Sequence, residues 1–77
     1  MKERAILAER QLAAGHLEAA CTTWGLALDD YPLVNSGRID KRMKDMFILI
    51  RLHVRNHDAQ TLYERARAIV RPELVPA

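Results

Sequence analysis

Residues 17–32 read LEAACTTWGLALDDYP, and this stretch decides the fold. Its apolar positions recur at steps of three and four, which places them along one face of a helix. They are Leu17, Ala20, Cys21, Trp24, Ala27 and Leu28. Pro32 lacks an amide donor and moves Tyr31 away from helical geometry, so the helix has to stop there. The stretch is therefore predicted to be an amphipathic helix that packs through Trp24.

A first helix is predicted on the N-terminal side of this stretch. Residues 2–14 are all good or acceptable helix formers. Gly15 readily adopts the left-handed backbone conformation that ends a helix and lets the chain reverse. Residues 1–32 are therefore expected to form an antiparallel helical hairpin.

Two more helices are predicted on the C-terminal side. Residues 33–35 read as a connector, and Asn35 or Ser36 can cap the free amides of a third helix. The apolar stripe of that helix consists of Ile39, Met43, Met46, Phe47, Ile50 and Val54. Asp58 can cap a fourth helix, and Pro72 ends it. The apolar face of the fourth helix consists of Ala59, Leu62, Tyr63, Ala66, Ile69 and Val70.

These elements predict an all-α fold of two consecutive antiparallel helical hairpins in a single domain of 77 residues. Residues 1–32 form the first hairpin, residues 36–71 form the second, and residues 72–77 form a tail. Residues 50–54 also alternate apolar and polar side chains, which is the pattern of a half-buried strand. We favour the helix, because an isolated strand would have no partner in a chain that offers no second one.

The composition excludes several classes of protein. The longest apolar run, residues 46–50, is far shorter than the roughly 20 residues that span a membrane, and no secretory signal peptide is evident. Cys21 is the only cysteine, which excludes an intramolecular disulfide and fits a reducing, cytoplasmic setting. A core this small offers few places for a water-excluding pocket, so no catalytic activity, cofactor or membrane partner is expected.

The first hairpin resembles a tetratricopeptide repeat. The positions that carry the resemblance are Leu7, Gly15, Leu17, Ala20, Trp24, Ala27, Leu28 and Pro32. In such a repeat, small alanines let two helices approach closely and a large aromatic side chain fills the space between neighbouring hairpins. Arg4, Ala8 and Gln11 depart from the family's pattern, as in a terminal repeat. Residues 36–70 do not repeat the spacing and are expected to be a degenerate second unit or a capping hairpin.

The whole chain is also similar to the C-terminal, tetratricopeptide-like region of actinobacterial helix-turn-helix transcriptional regulators. The similarity rests on residues 17–21, 28–32, 36–38 and 64–67. In such regulators the N-terminal part binds DNA, and the helical repeats serve protein or peptide interaction and oligomerisation. No DNA-reading module precedes Met1, so the chain is expected to be a fragment or remnant of the regulatory half. The resemblance implies a non-catalytic protein–protein interaction or self-association module of a bacterial transcriptional regulator.

The first helix carries one candidate partner-binding surface. By the resemblance, the first helix of each hairpin lines a concave surface. The residues that it would present to a protein or peptide are Lys2, Ala5, Glu9, Leu12 and Ala13. The carboxylate clamp of some family members is absent, because Ala5 and Glu9 stand at the matching places. The alternative is that one side of this helix is half buried and the other merely solvated, since solenoid grooves usually need about three repeats.

The third helix carries a second candidate surface. Ile48, Leu49 and Leu52 make its C-terminal half apolar nearly all round, which is more than a domain of this size needs to bury. A partner protein or a second copy, in a homo-oligomer, could cover them. The alternative is that the third helix is the central element and is covered by the second and fourth helices, because helices apolar all round are normally buried.

Charge is divided unevenly between the hairpins. Residues 1–35 contain three Lys or Arg and five Asp or Glu, whereas residues 36–71 contain nine and four, so their nets are −2 and +5. The basic residues that could contact phosphates include Arg38, Lys41, Arg42, Lys44 and Arg51. This nucleic-acid contact is kept as the alternative function. It is disfavoured, because acids are interspersed and no aromatic residues alternate with the basic ones.

Metal binding and thiol chemistry are both disfavoured. His53 and His57 have the spacing by which two imidazoles on a helix can share a zinc ion, but two ligands do not make a site. A third ligand would have to come from Asp58, His16 or Cys21. Cys21 lies on the apolar face, where a buried and unreactive thiol is usual, so neither a catalytic nor a metal-binding residue is predicted.

Overall fold

The computed structural model describes residues 2–31 and 37–76, without the side chains of residues 37 and 38. The four helices are α1 (Lys2–Ala13), α2 (Leu17–Asp30), α3 (Gly37–Arg51) and α4 (His57–Ile69). A short 3₁₀ turn, Pro72–Leu74, follows α4. The described residues contain no strand. The prediction of an all-α fold of two hairpins is thus confirmed.

Gly15 makes the turn between α1 and α2, as the sequence predicts. Its φ of 88° is the left-handed conformation that a glycine adopts without strain. The amide of His16 donates to the carbonyl of Gln11 at 2.8 Å, and the amide of Gly15 donates to that of Leu12 at 3.0 Å. These two bonds satisfy carbonyls at the end of α1, and they direct the chain back along the first helix.

The connection between the hairpins lies outside the described residues. Tyr31 is the last residue described after α2, and the description resumes at Gly37. The backbone of Tyr31 is helical, with φ of −55° and ψ of −44°, so the prediction that it leaves helical geometry is wrong. The predicted terminator Pro32, the connector at residues 33–35 and the caps Asn35 and Ser36 all fall in this gap.

The predicted extent of the third helix is wrong at its C-terminus. Helix α3 ends at Arg51, and residues 52–55 form a turn that is closed by a 2.8 Å bond from the amide of His53 to the carbonyl of Ile50. The apolar stripe suggested a helix reaching Val54, yet the side chain of Val54 is 42% exposed. Beyond Ile50 no buried position remains to hold another helical turn against the core.

The fourth helix is capped by Asn56, whereas the sequence pattern predicted Asp58. The Asn56 side chain accepts hydrogen bonds from the amides of Asp58 at 2.9 Å and Ala59 at 3.2 Å. Asp58 lies inside the first turn of α4, where its charge is favourable beside the helix N-terminus. The backbone of Asn56 is extended, with ψ of 132°, as a capping residue requires.

Replacing Asn56 with alanine should lower the free energy of unfolding by about 1 kcal/mol, because two amides of α4 lose their acceptor. The measurement is urea denaturation followed by circular dichroism. Asn56→Asp is the matched control, since it keeps the acceptor oxygens and should stay within about 0.5 kcal/mol of the unchanged chain. Equal losses in both variants would contradict the assignment of Asn56 as the cap.

The two hairpins stack so that α3 packs on α1 and α4 packs on α2. The cleft between α2 and α4 fixes their relative direction. Cys21 of α2 lies near His57 of α4, and Gly25, one turn further along, accepts a hydrogen bond from Arg65. Helices α2 and α4 are therefore parallel, and so are α1 and α3, because each runs antiparallel to the second helix of its own hairpin.

One apolar core joins all four helices. Its fully buried large side chains are Trp24, Phe47, Leu28, Met43, Met46 and Ile50. Small residues at six positions allow the helices to approach, namely Ala5, Ala8, Ala20, Ala27, Ala59 and Ala66, all 0% exposed. Trp24 is 0% exposed, as the sequence predicts. None of the helices described is long and apolar enough to cross a membrane.

Candidate functional site

An exposed row of side chains runs along α3, and we call it the α3 stripe. It consists of Lys41, Lys44, Ile48 and Leu52. The first three lie on one face because steps of three and four residues return to the same side of a helix, and Leu52 continues the row just beyond the last turn. The stripe is basic in its N-terminal half and apolar in its C-terminal half.

The apolar half of the stripe decides between the two interpretations of the third helix. Ile48 is 50% exposed and Leu52 is 78% exposed, so neither is covered by the rest of the described chain. Leu49, in contrast, is partly buried and packs against the core. The sequence-predicted surface of these three residues is thus divided, and two of them remain available to a partner. The alternative that α3 is a central helix covered on all sides is therefore excluded.

The surface predicted on α1 is also divided. Ala5 is 0% exposed, so its prediction as a partner-binding residue is wrong, because the close packing of α1 against its neighbours covers it. Leu12 is partly buried and packs against the core. Lys2 and Ala13 are exposed. Of the five predicted residues on α1, only these two are exposed.

Glu9, the fifth predicted residue of α1, forms an ion pair with α3. The guanidinium of Arg42 donates through Nη1 to both carboxylate oxygens of Glu9, at 2.9 and 3.1 Å. The pair is partly buried and joins the two hairpins. The two predicted partner surfaces therefore lie on adjacent helices, and Glu9 already has a cation as its partner.

The Glu9–Arg42 ion pair also engages one of the five basic residues that were predicted to contact nucleic acid. Arg42 is held by Glu9, and Arg51 also has an interaction within the chain. The side chain of Arg38 lies outside the described residues. Lys41 and Lys44 are exposed, and no ion pair joins them to any described residue. Of the five predicted basic residues, Lys41 and Lys44 are thus the two whose side chains could contact a phosphate without first breaking an ion pair with a described residue.

A shallow cleft of about 380 Å³ lies along the surface where α2 and α4 meet. It is lined by Glu18, Cys21, Thr22, Gly25, His57, Asp58, Thr61, Leu62 and Arg65. Burial raises the pKa of the Cys21 thiol above its ordinary value, and the nearby charges of Asp58 and Glu18 raise it further. Less thiolate is then present at neutral pH, which opposes nucleophilic chemistry there.

The two histidines that a metal could share do not lie on one helix. His53 is in the turn after α3, whereas His57 is the first residue of α4. Among the described residues, no three His, Cys, Asp or Glu side chains form a group that could hold a metal ion. The described residues thus contain no cluster of side chains with which a metal ion could be coordinated.

Sequence reasoning missed the contacts that fasten the second hairpin to the first. Arg65 of α4 donates to the carbonyl of Gly25 at 3.1 Å and forms an ion pair with Asp29, both on α2. A further ion pair that sequence reasoning missed lies within the second hairpin, between Arg71 and Asp40 at 3.2 Å. Local periodicity carries no signal for the Arg65 pair, because its members are 36 residues apart in the chain.

Comparisons of the chain with protein families, curated proteins and solved structures found no significant match.

Proposed function

We propose that this chain is a non-catalytic protein-interaction module that buries the apolar half of the α3 stripe against a partner. One observation carries the proposal: Ile48 and Leu52, four residues apart at the C-terminal end of α3 and just beyond it, are 50% and 78% exposed. Covering such side chains with a partner's apolar surface is favourable by roughly 25 cal/mol per Å², before the cost of ordering is subtracted.

Two features support an interaction role over catalysis. The α2–α4 cleft is open to solvent, and its one thiol is disfavoured as a thiolate. The stacked arrangement of α3 on α1 and α4 on α2 is also the kind of packing by which helical repeats build binding surfaces. Together with the resemblance to regulator C-terminal regions, this supports a role in the interaction half of a bacterial transcriptional regulator.

Site-specific photocrosslinking tests the proposed function. A photoreactive phenylalanine analogue is placed at position 48 and, as a matched control, at Gln60, which is exposed on α4. The proposal expects a protein adduct from position 48 that is absent from position 60 and disappears when Leu52→Asp is added. If position 48 yields no protein adduct, and sedimentation at several concentrations finds only the monomer, the proposed function is wrong.

Nucleic-acid contact is the second candidate, because Lys41 and Lys44 are exposed and have no ion pair with any described residue. Titration of duplex DNA at increasing salt concentration separates the two functions. A DNA affinity that falls steeply with salt and is lost in Lys41→Glu/Lys44→Glu would favour nucleic-acid contact. The interaction module instead predicts no measurable affinity for duplex DNA at physiological salt.

A further inference from the structure

We infer that the partner of the α3 stripe is an acidic amphipathic helix, and this inference rests on the proposed function above. The order of charges and apolar groups along α3 carries it. Lys41 and Lys44 occupy one end of the stripe, whereas Ile48 and Leu52 occupy the other. A helix that lies along α3 would place carboxylates over the lysines and apolar side chains over the isoleucine and leucine.

The spacing of the stripe fits a helical partner. Lys41 and Ile48 are two helical turns apart, which is roughly 10 Å at 1.5 Å per residue. A partner helix of about three turns therefore spans both halves of the stripe. It would use acidic side chains in one turn and apolar side chains in another, each group being spaced by three or four residues.

The electrostatics of α3 favour an acidic partner. Neither lysine has an ion pair with any described residue, so a partner carboxylate would not have to displace an acid of this chain. Asp40 has Arg71 as its cation and contributes little opposing charge.

A second copy of this chain fits the stripe poorly. Two antiparallel α3 helices related by a two-fold axis at the centre of the stripe would place Lys44 opposite Ile48 and Lys41 opposite Leu52. Four ammonium groups would then enter an interface in which each α3 supplies one flanking carboxylate, that of the half-buried Asp45, so two of the four would lack a counter-charge from these helices. An overlap limited to the two apolar side chains of each copy would be far smaller than the roughly 1,200 Å² of a stable interface.

Synthetic helical peptides of about 15 residues test the inference by fluorescence anisotropy with the full chain. The probe carries glutamates on one face of its first turns and leucines on the same face of its last turns. Two control peptides have the same length: one replaces each glutamate with glutamine, and the other mixes glutamates and leucines within every turn. The inference expects the probe to bind at least tenfold more tightly than either control.

Variants of the chain identify the surface that is used. Lys41→Glu/Lys44→Glu should weaken binding of the probe at least tenfold and should bind a peptide with lysines in place of the glutamates. Ile48→Ala/Leu52→Ala should weaken binding of the probe, and added to Lys41→Glu/Lys44→Glu it should weaken binding of the lysine peptide. The matched control is Arg10→Glu/Arg67→Glu, which changes the net charge equally at exposed positions outside the stripe and should leave binding within about twofold.

Other outcomes would overturn the inference. If the charge reversals in the stripe and in the control weaken binding of the probe equally, the binding depends only on the net charge of the chain. Binding of phosphatidylglycerol vesicles that requires Ile48 and Leu52, without binding of the probe, would assign the stripe to a membrane surface. If no peptide binds while position 48 still yields protein adducts, the partner chemistry is wrong and the proposed function stands. If no peptide binds and position 48 yields no protein adduct, the inference and the proposed function are both wrong.

Discussion

Trp24→Ala should lower the free energy of unfolding by about 3–5 kcal/mol. The indole is 0% exposed and belongs to the one core cluster that joins all four helices. Its removal would leave a cavity in this core, because close-packed helices relax only partly around a lost side chain. A chain of 77 residues has a total stability of roughly 4–12 kcal/mol, so this loss amounts to between about a quarter and all of it.

Trp24→Phe is the control that separates volume from hydrogen bonding. The indole Nε1 is buried and has no hydrogen-bond partner among the described residues. Phenylalanine loses part of the ring volume but also removes this unsatisfied donor, whose burial costs about 1–3 kcal/mol. The loss for phenylalanine should therefore be less than half of the loss for alanine. Urea denaturation followed by circular dichroism measures both, and a loss below about 1 kcal/mol for Trp24→Ala would contradict the core described here.

The helical hairpins could be predicted from the sequence because each signal is local. Glycine at position 15 favours the left-handed turn whatever lies around it, and the spacing of residues 17–28 places Trp24 at the centre of one apolar face. These signals depend only on neighbouring residues. They remain correct when the hairpins meet, since the apolar face of α2 stays buried in the core that all four helices share.

The end of α3 could not be predicted in the same way. The periodic stripe runs through Val54, and only the packing shows that Leu52 and Val54 remain 78% and 42% exposed. Asn56 and Asp58 are both good capping residues. The choice between them depends on which residue has the extended backbone at the start of α4, and tertiary packing decides that.

The candidate site was also predicted only in part, because exposure depends on tertiary packing as the end of α3 does. A sequence shows that α1 and α3 carry apolar and charged residues, but not which neighbours each side chain meets. Ala5 was predicted as exposed and is buried, whereas Glu9 was predicted as open to a partner and instead binds Arg42, 33 residues away in the chain. Ile48 and Leu49 are adjacent and equally apolar, yet only Ile48 is exposed because helical geometry turns it away from the core.

Phe47→Ala should also be among the most damaging substitutions, with an expected loss of about 3–5 kcal/mol. Phe47 is 0% exposed on α3, and its ring meets that of Tyr63 on α4 edge to face. The ring centroids are 5.3 Å apart and the planes are 79° to each other, which is a favourable arrangement for two aromatic rings. The same urea titration measures the loss, and Gln60→Ala at an exposed position should change stability by less than about 0.5 kcal/mol.

A double-mutant cycle tests whether the Phe47–Tyr63 contact itself fastens α3 to α4. Two alanine truncations could unfold so small a chain, so the cycle uses Phe47→Leu, Tyr63→Leu and the double variant. The two single losses should together exceed the loss of the double variant by about 0.5–1.5 kcal/mol, because each leucine variant already forfeits the ring contact. Simple additivity would mean that Phe47 stabilises the fold through burial alone. The second hairpin would then be held together by its apolar core and by the ion pair between Arg71 and Asp40.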